Sequence, residues 1–234
     1  MTGYEDTRDP YERIAADLRS KIMSGVYLPD ADLPSTAEFR EAYKAAPATV
    51  QKALDVLKAE GWIIGGRGAR RKVRPTQIRV ITAGSYFDPK VTGYSYDILE
   101  VGGRTPDGDV GEALGGEAAV LRHRIMKDAT GPLEVDWSYY PANFASGTQL
   151  AQPGRIKGGA GRVLQELGLP ERRFEDIVTA RGATDYEAAH LLMPPGVPVL
   201  RILRKTHSDN GRLVAVTVLV KAAHLLAQRY VQDS

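Results

Sequence analysis

Residues 46–74 constrain the chain more than any other stretch. Pro47 stands where a helix can begin, because a backbone N–H missing from the first turn costs little. Val50, Ala53, Leu54 and Leu57 follow at i, i+3, i+4 and i+7, so the spacing predicts a helix with one apolar stripe, and Thr49, Gln51, Lys52 and Asp55 lie off it. Gly61 stops the helix. Trp62-Ile63-Ile64 reads as a short strand, Gly65-Gly66-Arg67-Gly68 as a turn, and Ala69-Arg70-Arg71-Lys72-Val73 as a basic returning strand. From Gly61 to Arg79 there are six basic residues and no acidic one, although the whole chain carries a formal net charge of only +2. Positive charge is therefore concentrated here, the usual footprint of phosphate binding. A short helix showing amide and ammonium groups, followed by a glycine-tipped basic hairpin, has the parts of a winged helix-turn-helix: a helix for the major groove and a wing for the phosphates. Gly66, Arg67 and Arg70 are the wing residues this reading selects.

The preceding residues supply a scaffold. Asp9, Pro10 and Glu12 make a helix start, Tyr11, Ile14, Ala15, Leu18 and Ile22 an apolar stripe, and Gly25 a stop. Val26-Tyr27-Leu28 is expected to be a small strand. Ser35 and Glu38 form a capping box for a second helix whose inner face is expected to be Phe39, Ala42 and Tyr43. Gly25-Val26-Tyr27-Leu28-Pro29, Leu33-Pro34-Ser35, Thr49-Val50-Gln51-Lys52-Ala53-Leu54 and Leu57-Lys58-Ala59-Glu60-Gly61-Trp62-Ile63 resemble, in that order, the DNA-binding domain of the GntR family of bacterial transcription regulators. The resemblance spans nearly all of residues 10–73. It implies a helix-capping, phosphate-facing hydroxyl at Ser35 and another at Thr49, with Gln51 and Lys52 reaching base edges or backbone. Where family members often carry arginine, this chain has Ala37, Pro47 and Gln51, which implies a different operator sequence. A plain cap at Ser35, a helix-start hydroxyl at Thr49 and a solvated lysine at Lys52 are the structural alternatives.

Beyond Arg74 the pattern changes. Residues 75–85 have linker chemistry and are the expected hinge, and residues 86–234 alternate strand-like runs such as Leu213-Val214-Ala215-Val216-Thr217-Val218 with short helices such as those around Val163 and Ala188. This predicts an α+β domain after an N-terminal domain of residues 1–74. Val120-Leu121-Arg122 recurs 79 residues later as Val199-Leu200-Arg201, each followed by a turn and a returning strand. Two related hairpins could share one antiparallel sheet, with a ligand cleft between the halves. Val120-Leu121-Arg122-His123-Arg124, the run from Pro132 to Pro141, and Pro195-Gly196-Val197-Pro198-Val199-Leu200-Arg201 resemble the UTRA effector domain of the HutC branch of GntR regulators, which has a chorismate-lyase-like fold. That resemblance implies an effector pocket lined by Arg122, Arg124, Asp136 and Ser138. Strand alternation puts both arginines on one face, where they would favour an anionic or oxygen-rich ligand, or else would hold the sheet together as an internal Arg–Asp pair. The glycine-rich segment 157–162 could cradle an anion at a helix start or serve as a plain turn.

Several function classes are excluded or disfavoured. There is no cysteine, hence no disulfide and no thiolate chemistry. No run of about 18 apolar residues suggests a membrane span, so a cytoplasmic protein without a membrane partner is expected. The four histidines are scattered, and no nucleophile elbow, P-loop or dinucleotide fingerprint appears. The expectation is a non-enzymatic regulator with no catalytic residue, metal or cofactor. It would be a ligand-responsive repressor that binds a pseudo-palindromic double-stranded DNA operator as a homodimer. The alternative is a DNA-binding protein whose C-terminal domain dimerises and binds no effector.

Overall fold

The Glu12 carboxylate accepts the Asp9 N–H at 2.9 Å and Pro10 takes the first helical position, which starts α1 (Pro10–Met23). Ser35 and Glu38 cap α2 (Thr36–Tyr43) reciprocally at 3.2 and 2.7 Å. Pro47 opens α3 (Pro47–Ala59), and Val50, Ala53, Leu54 and Leu57 are all buried. They meet Ile14, Leu18 and Phe39 from the other helices, and Ile63 and Val73 from a hairpin of β1 (Ile63–Gly66) and β2 (Ala69–Val73). In this computed structural model, residues 7–66, 69–75, 78–82, 93–193 and 196–231 are described. They form two compact units, Met1–Gln77 with Pro194–Val197, and Ile78–Met193 with Pro198–Ser234.

Three local expectations for the first unit and its boundary change. Residues 26–28 are not a strand but an irregular bend between two turns, where Gly25 at φ 78° and Asp30 at φ 64° redirect the chain at both ends. The strand-like contact falls later, where Asp32 bridges Lys72 and the Leu33 N–H donates to the Arg71 carbonyl at 2.8 Å. Ala42 is exposed, since Phe39 and Tyr43, four apart, already define the inner face of α2. The expected linker at 75–85 contains a strand, β3 (Arg79–Thr82), anchored by Ile81 packed with Met126, Leu133 and Leu226. Residues 76, 77 and 83–85 of that linker lie outside the described residues.

The second unit is built on a six-stranded antiparallel sheet. Its strands are β4 (Ser95–Arg104), β5 (Ala119–Asp128), β6 (Gly131–Pro141), β7 (Arg173–Gly182), β8 (Pro198–His207) and β9 (Leu213–Ala222), in the spatial order β4-β5-β6-β9-β8-β7. That order reads the same from either edge. A strand, a short helix and a hairpin make each half: β4, α4 (Gly108–Ala113), β5 and β6, then β7, α7 (Asp185–His190), β8 and β9. Between the halves run α5 (Ala142–Ala145), a 3-10 turn (Gln149–Ala151) and α6 (Gly159–Glu166). These pack Ala145, Leu150, Val163 and Leu164 over Val120, Tyr140 and Ala215 on one face of the sheet. On the same side, β10 (Leu226–Arg229) pairs in parallel with β3.

The repeat seen in the sequence is thus real but one residue out of step. Arg122 lies opposite Ser138, whereas Arg201 lies opposite Val220 and reaches Asp109 at 2.7 Å on the other face. The geometric partner of Arg124 is Arg204, each set beside an inner strand on the same face.

Two substitutions test the packing of the first unit. Leu57→Ala, at a fully buried site, is expected to cost about 2–5 kcal/mol, read as an earlier urea transition. Gly65→Ala is expected to be destabilising too, because Gly65 has φ 88° and an added Cβ would fall 2.3 Å from the Arg70 carbonyl oxygen. A wild-type transition in either variant would contradict this packing.

Candidate nucleic-acid interface and ligand cavity

The first unit displays polar side chains on α3 and the hairpin. Gln51 is held at both ends: its Oε1 accepts from Arg71 Nη2 at 2.8 Å, and its Nε2 donates to Asp55 Oδ1 at 2.8 Å. Arg71 also donates to Thr36 Oγ1 at 3.2 Å, so one guanidinium joins α2, α3 and β2. Lys52 is exposed, with its ammonium 3.7 Å from the centre of the Tyr11 ring. Thr49 is half-buried in the first turn of α3, and Ser35 is occupied as a cap. Arg70 reaches Asp32 at 3.0 Å, but its side chain is 83% exposed, and an ion pair so open to water holds it weakly. Gly66 ends β1 at φ 101°; Arg67 lies outside the described residues. The structure therefore groups Gln51, Lys52 and Arg70 with the helix and hairpin that the sequence reading selected, and adds Arg71 as the link among them.

In the second unit the register of the sheet decides which side chains meet. Arg124, Asp136 and Leu219 stand side by side across three strands, and Arg204, Thr217 and Ser138 form the next row. Alternation sends both rows to the same face. There all of them but Asp136 line a half-open cavity of about 210 Å³, bordered also by Gly159, Ala160 and Gly161 of α6 and by Ile81, Thr82 and Gln228 from the β3 and β10 pair. The cavity lies below the about 300–1,000 Å³ of drug-sized sites, which suits a small polar molecule.

Every cation in this lining has its own acid. Arg124 donates to Asp136 Oδ1 from Nε at 3.0 Å and from Nη2 at 2.7 Å. Arg204 grips Asp176 through two bonds of 2.7 and 2.6 Å. Lys221 is buried against Glu134. Ser138 adds a hydroxyl 3.2 Å from Asp136 Oδ1 and 3.3 Å from Thr217. Asp136 Oδ2 is buried with no hydrogen-bond partner among the described residues. Glu171 is an exposed loop residue that also lines the cavity, where partial desolvation of its carboxyl raises its pKa and Arg204 opposes the rise.

Of the residues expected in the pocket, Arg124 and Ser138 line the cavity and Asp136 stands directly behind them. Arg122 does not line it. Its buried guanidinium donates to the carbonyls of Leu150, Gln152 and Gly154 at 3.0, 2.8 and 2.5 Å, fixing the loop before α6. Sequence reasoning missed Glu134, Glu171 and Arg204. The first and last could have been found by carrying strand alternation through β6 and β8, and Glu171 had no such signal. On the opposite face His123 Nδ1 donates to the Asp136 carbonyl at 2.8 Å, which leaves Nε2 to accept from the Tyr186 hydroxyl at 2.6 Å. Burial lowers the pKa of His123 and keeps the ring neutral, so it serves α7 packing.

Comparison with known proteins gives both units relatives. Residues 92–224 match the UTRA domain model, and residues 10–73 match that of the bacterial regulatory proteins of the gntR family. The chain is 27% identical to an uncharacterized HTH-type transcriptional regulator of Streptomyces coelicolor over 94% of this chain and 91% of that protein. It is 25% identical to the HTH-type transcriptional repressor NagR of Bacillus subtilis, over 86% of this chain and 85% of that protein. A solved structure described as a candidate GntR-family transcriptional regulator superimposes with a TM-score of 0.70 at 24% identity, covering 97% of this chain and 98% of that one, and so shares the fold.

Two outcomes test these sites. Arg70→Ala is expected to weaken binding to all duplex DNA and to lower the salt slope by about one, whereas an unchanged slope would remove Arg70 from the interface. Glu171→Gln is expected to raise the thermal midpoint at pH 7. A carboxyl whose folded pKa is raised destabilises the fold when ionised, so the gain should vanish as pH falls toward the unfolded value of about 4.3. A pH-independent difference would show that ionisation is not its cause.

Proposed function

We propose, since the chain belongs to the gntR family of bacterial regulatory proteins and carries a UTRA domain, that it is a ligand-controlled repressor of the HutC branch. It is a transcriptional regulator and not an enzyme. On our reading it is a cytoplasmic homodimer whose two readers grip a pseudo-palindromic operator, as two-fold protein symmetry favours. Ser35, Thr49, Gln51, Lys52, Gly66, Arg67 and Arg70 face the DNA. Gln51 and Lys52 read from α3, and the wing residues hold phosphate. Arg124, Ser138 and Asp136 take part in effector binding, and Arg122 supports them by fixing the loop that leads to α6.

The observation that carries this reading is the second unit's half-open cavity with charged side chains in its lining, in the same chain as a basic hairpin. A unit that only dimerised would have no need to gather Arg124, Glu134, Arg204 and Lys221 around one cavity, since even paired charges are costly to take out of water. The name of the Bacillus subtilis relative, a repressor, supports the sign of control. Control follows from linkage: a ligand that favours a conformation unsuited to the operator must itself bind less well to the DNA-bound protein.

A mobility shift with DNA from upstream of the protein's own gene, an unrelated competitor and a salt series tests the DNA half of the proposal. A shift that resists the competitor, weakens with salt and maps to an inverted repeat is expected. Equal affinity for competitor DNA across the whole genome-derived pool would refute sequence-specific repression.

A further inference from the structure

Counted together with Asp136 and Asp176, which pair with two of its cations from behind the lining, the acids at the cavity outnumber its cations by one. Arg124, Arg204 and Lys221 line it, and each is neutralised at contact distance by Asp136, Asp176 and Glu134 in turn. Both donor edges of Arg204 that face Asp176 are occupied by that carboxylate. Glu171 remains. Among the described residues it has no ion-pair or hydrogen-bond partner, and its nearest neighbour at the start of α6 is Gly161, where an added Cβ would fall 2.9 Å from Glu171 Oε2. The Glu171 carboxylate therefore lies directly over the glycine-rich start of α6, where Gly161 presents no side chain to it. A second acid is only half used: Asp136 meets Arg124 and Ser138 through Oδ1, while Oδ2 is buried without a partner. A ligand anion entering here would find each cation already paired with an acid and a carboxylate lying against α6.

We infer that the cavity is selective for a small ligand carrying a protonated amine, with Glu171 as the group that receives the cationic nitrogen. Thr206, Thr217 and Ser138 offer hydroxyls to the ligand's remaining polar atoms, so an amine that also bears hydroxyl groups fits the lining best. This inverts the charge that the two arginines of β5 suggest from sequence, because one of them holds a loop and the other holds Asp136. It rests on the reading that the cavity takes a small-molecule effector. An amine-to-carboxylate contact in a partly desolvated site is charge-assisted and makes a large share of a small ligand's affinity.

The test is a thermal-shift screen of the full chain with molecules matched in shape and differing in charge: ethanolamine, ethylene glycol and glycolate; glucosamine, glucose and glucuronate; and further triples built the same way. Amine members are expected to raise the midpoint most, and in Glu171→Gln the Kd of the best amine, measured by calorimetry, is expected to weaken at least about tenfold. Stabilisation by the neutral or anionic members, or an amine Kd within about twofold of wild type in Glu171→Gln, would overturn the charge assignment while leaving an effector cavity in place. If no member of any triple binds, the effector reading itself falls, and this inference with it. The variant's own unfolding midpoint separates lost binding from a lost fold.

Discussion

The antiparallel pairing of β6 with β9 is the contact on which the second unit depends. It joins two halves of like construction, each a strand, a short helix and a hairpin, and the six-stranded order follows from it. It also fixes the chemistry. Setting Asp136 against Leu219, Ser138 against Thr217 and Glu134 against Lys221 sends the polar members of both inner strands to one face. A one-residue slip of β9 against β6 would turn Thr217, Leu219 and Lys221 to the face that packs α4 and α7, and would bring Val218 and Val220 into the cavity instead. The apolar demands of the two faces therefore protect the register of the site.

Within that frame the charges are arranged as buried pairs. Removing two ions from water is expensive, and their attraction repays it only with good geometry, so such pairs are better explained by specificity or ligand handling than by stability. The bidentate Arg204–Asp176 contact and the buried Lys221–Glu134 contact stiffen the outer and inner strands around the cavity. Arg122 works by a different route, collecting loop carbonyls that have no strand partner. In the first unit Arg71 plays a comparable part, since it links Thr36 of α2 to Gln51 of α3 and thereby orients the amide of a residue that we assign to DNA reading.

How much of this was legible in sequence depended on whether a local rule governed it. The stripe of Val50, Ala53, Leu54 and Leu57 and the Ser35–Glu38 box obey short-range rules, and the structure has them where the residues indicate; the hairpin is present too, but its first strand starts at Ile63 and takes in Gly65 and Gly66, which the sequence reads as turn. Val26-Tyr27-Leu28 misled because β-prone residues bounded by Gly25 and Pro29 form a bend as readily as a strand, and here they bond locally, the Tyr27 N–H to the Lys21 carbonyl and the Ala31 N–H to the Leu28 carbonyl. The internal repeat was visible, but its offset was set by matching Val-Leu-Arg letters, and the face each arginine takes depends on inter-strand register, which no local pattern reports. Glu171 was invisible for a related reason. It is a loop carboxylate whose surroundings come from the start of α6 and, more than thirty residues on, from Arg204 of β8.

The central claim is that the DNA reader and the cavity form one thermodynamic system. The most direct measurement is the operator Kd of the full chain as a function of the concentration of a compound that stabilises it, together with the compound's Kd with and without operator. Linkage requires that the two affinities change by the same factor. The account predicts a saturable weakening of operator binding, matched by an equal weakening of ligand binding when DNA is present. An operator Kd that stays constant while the cavity fills would contradict it.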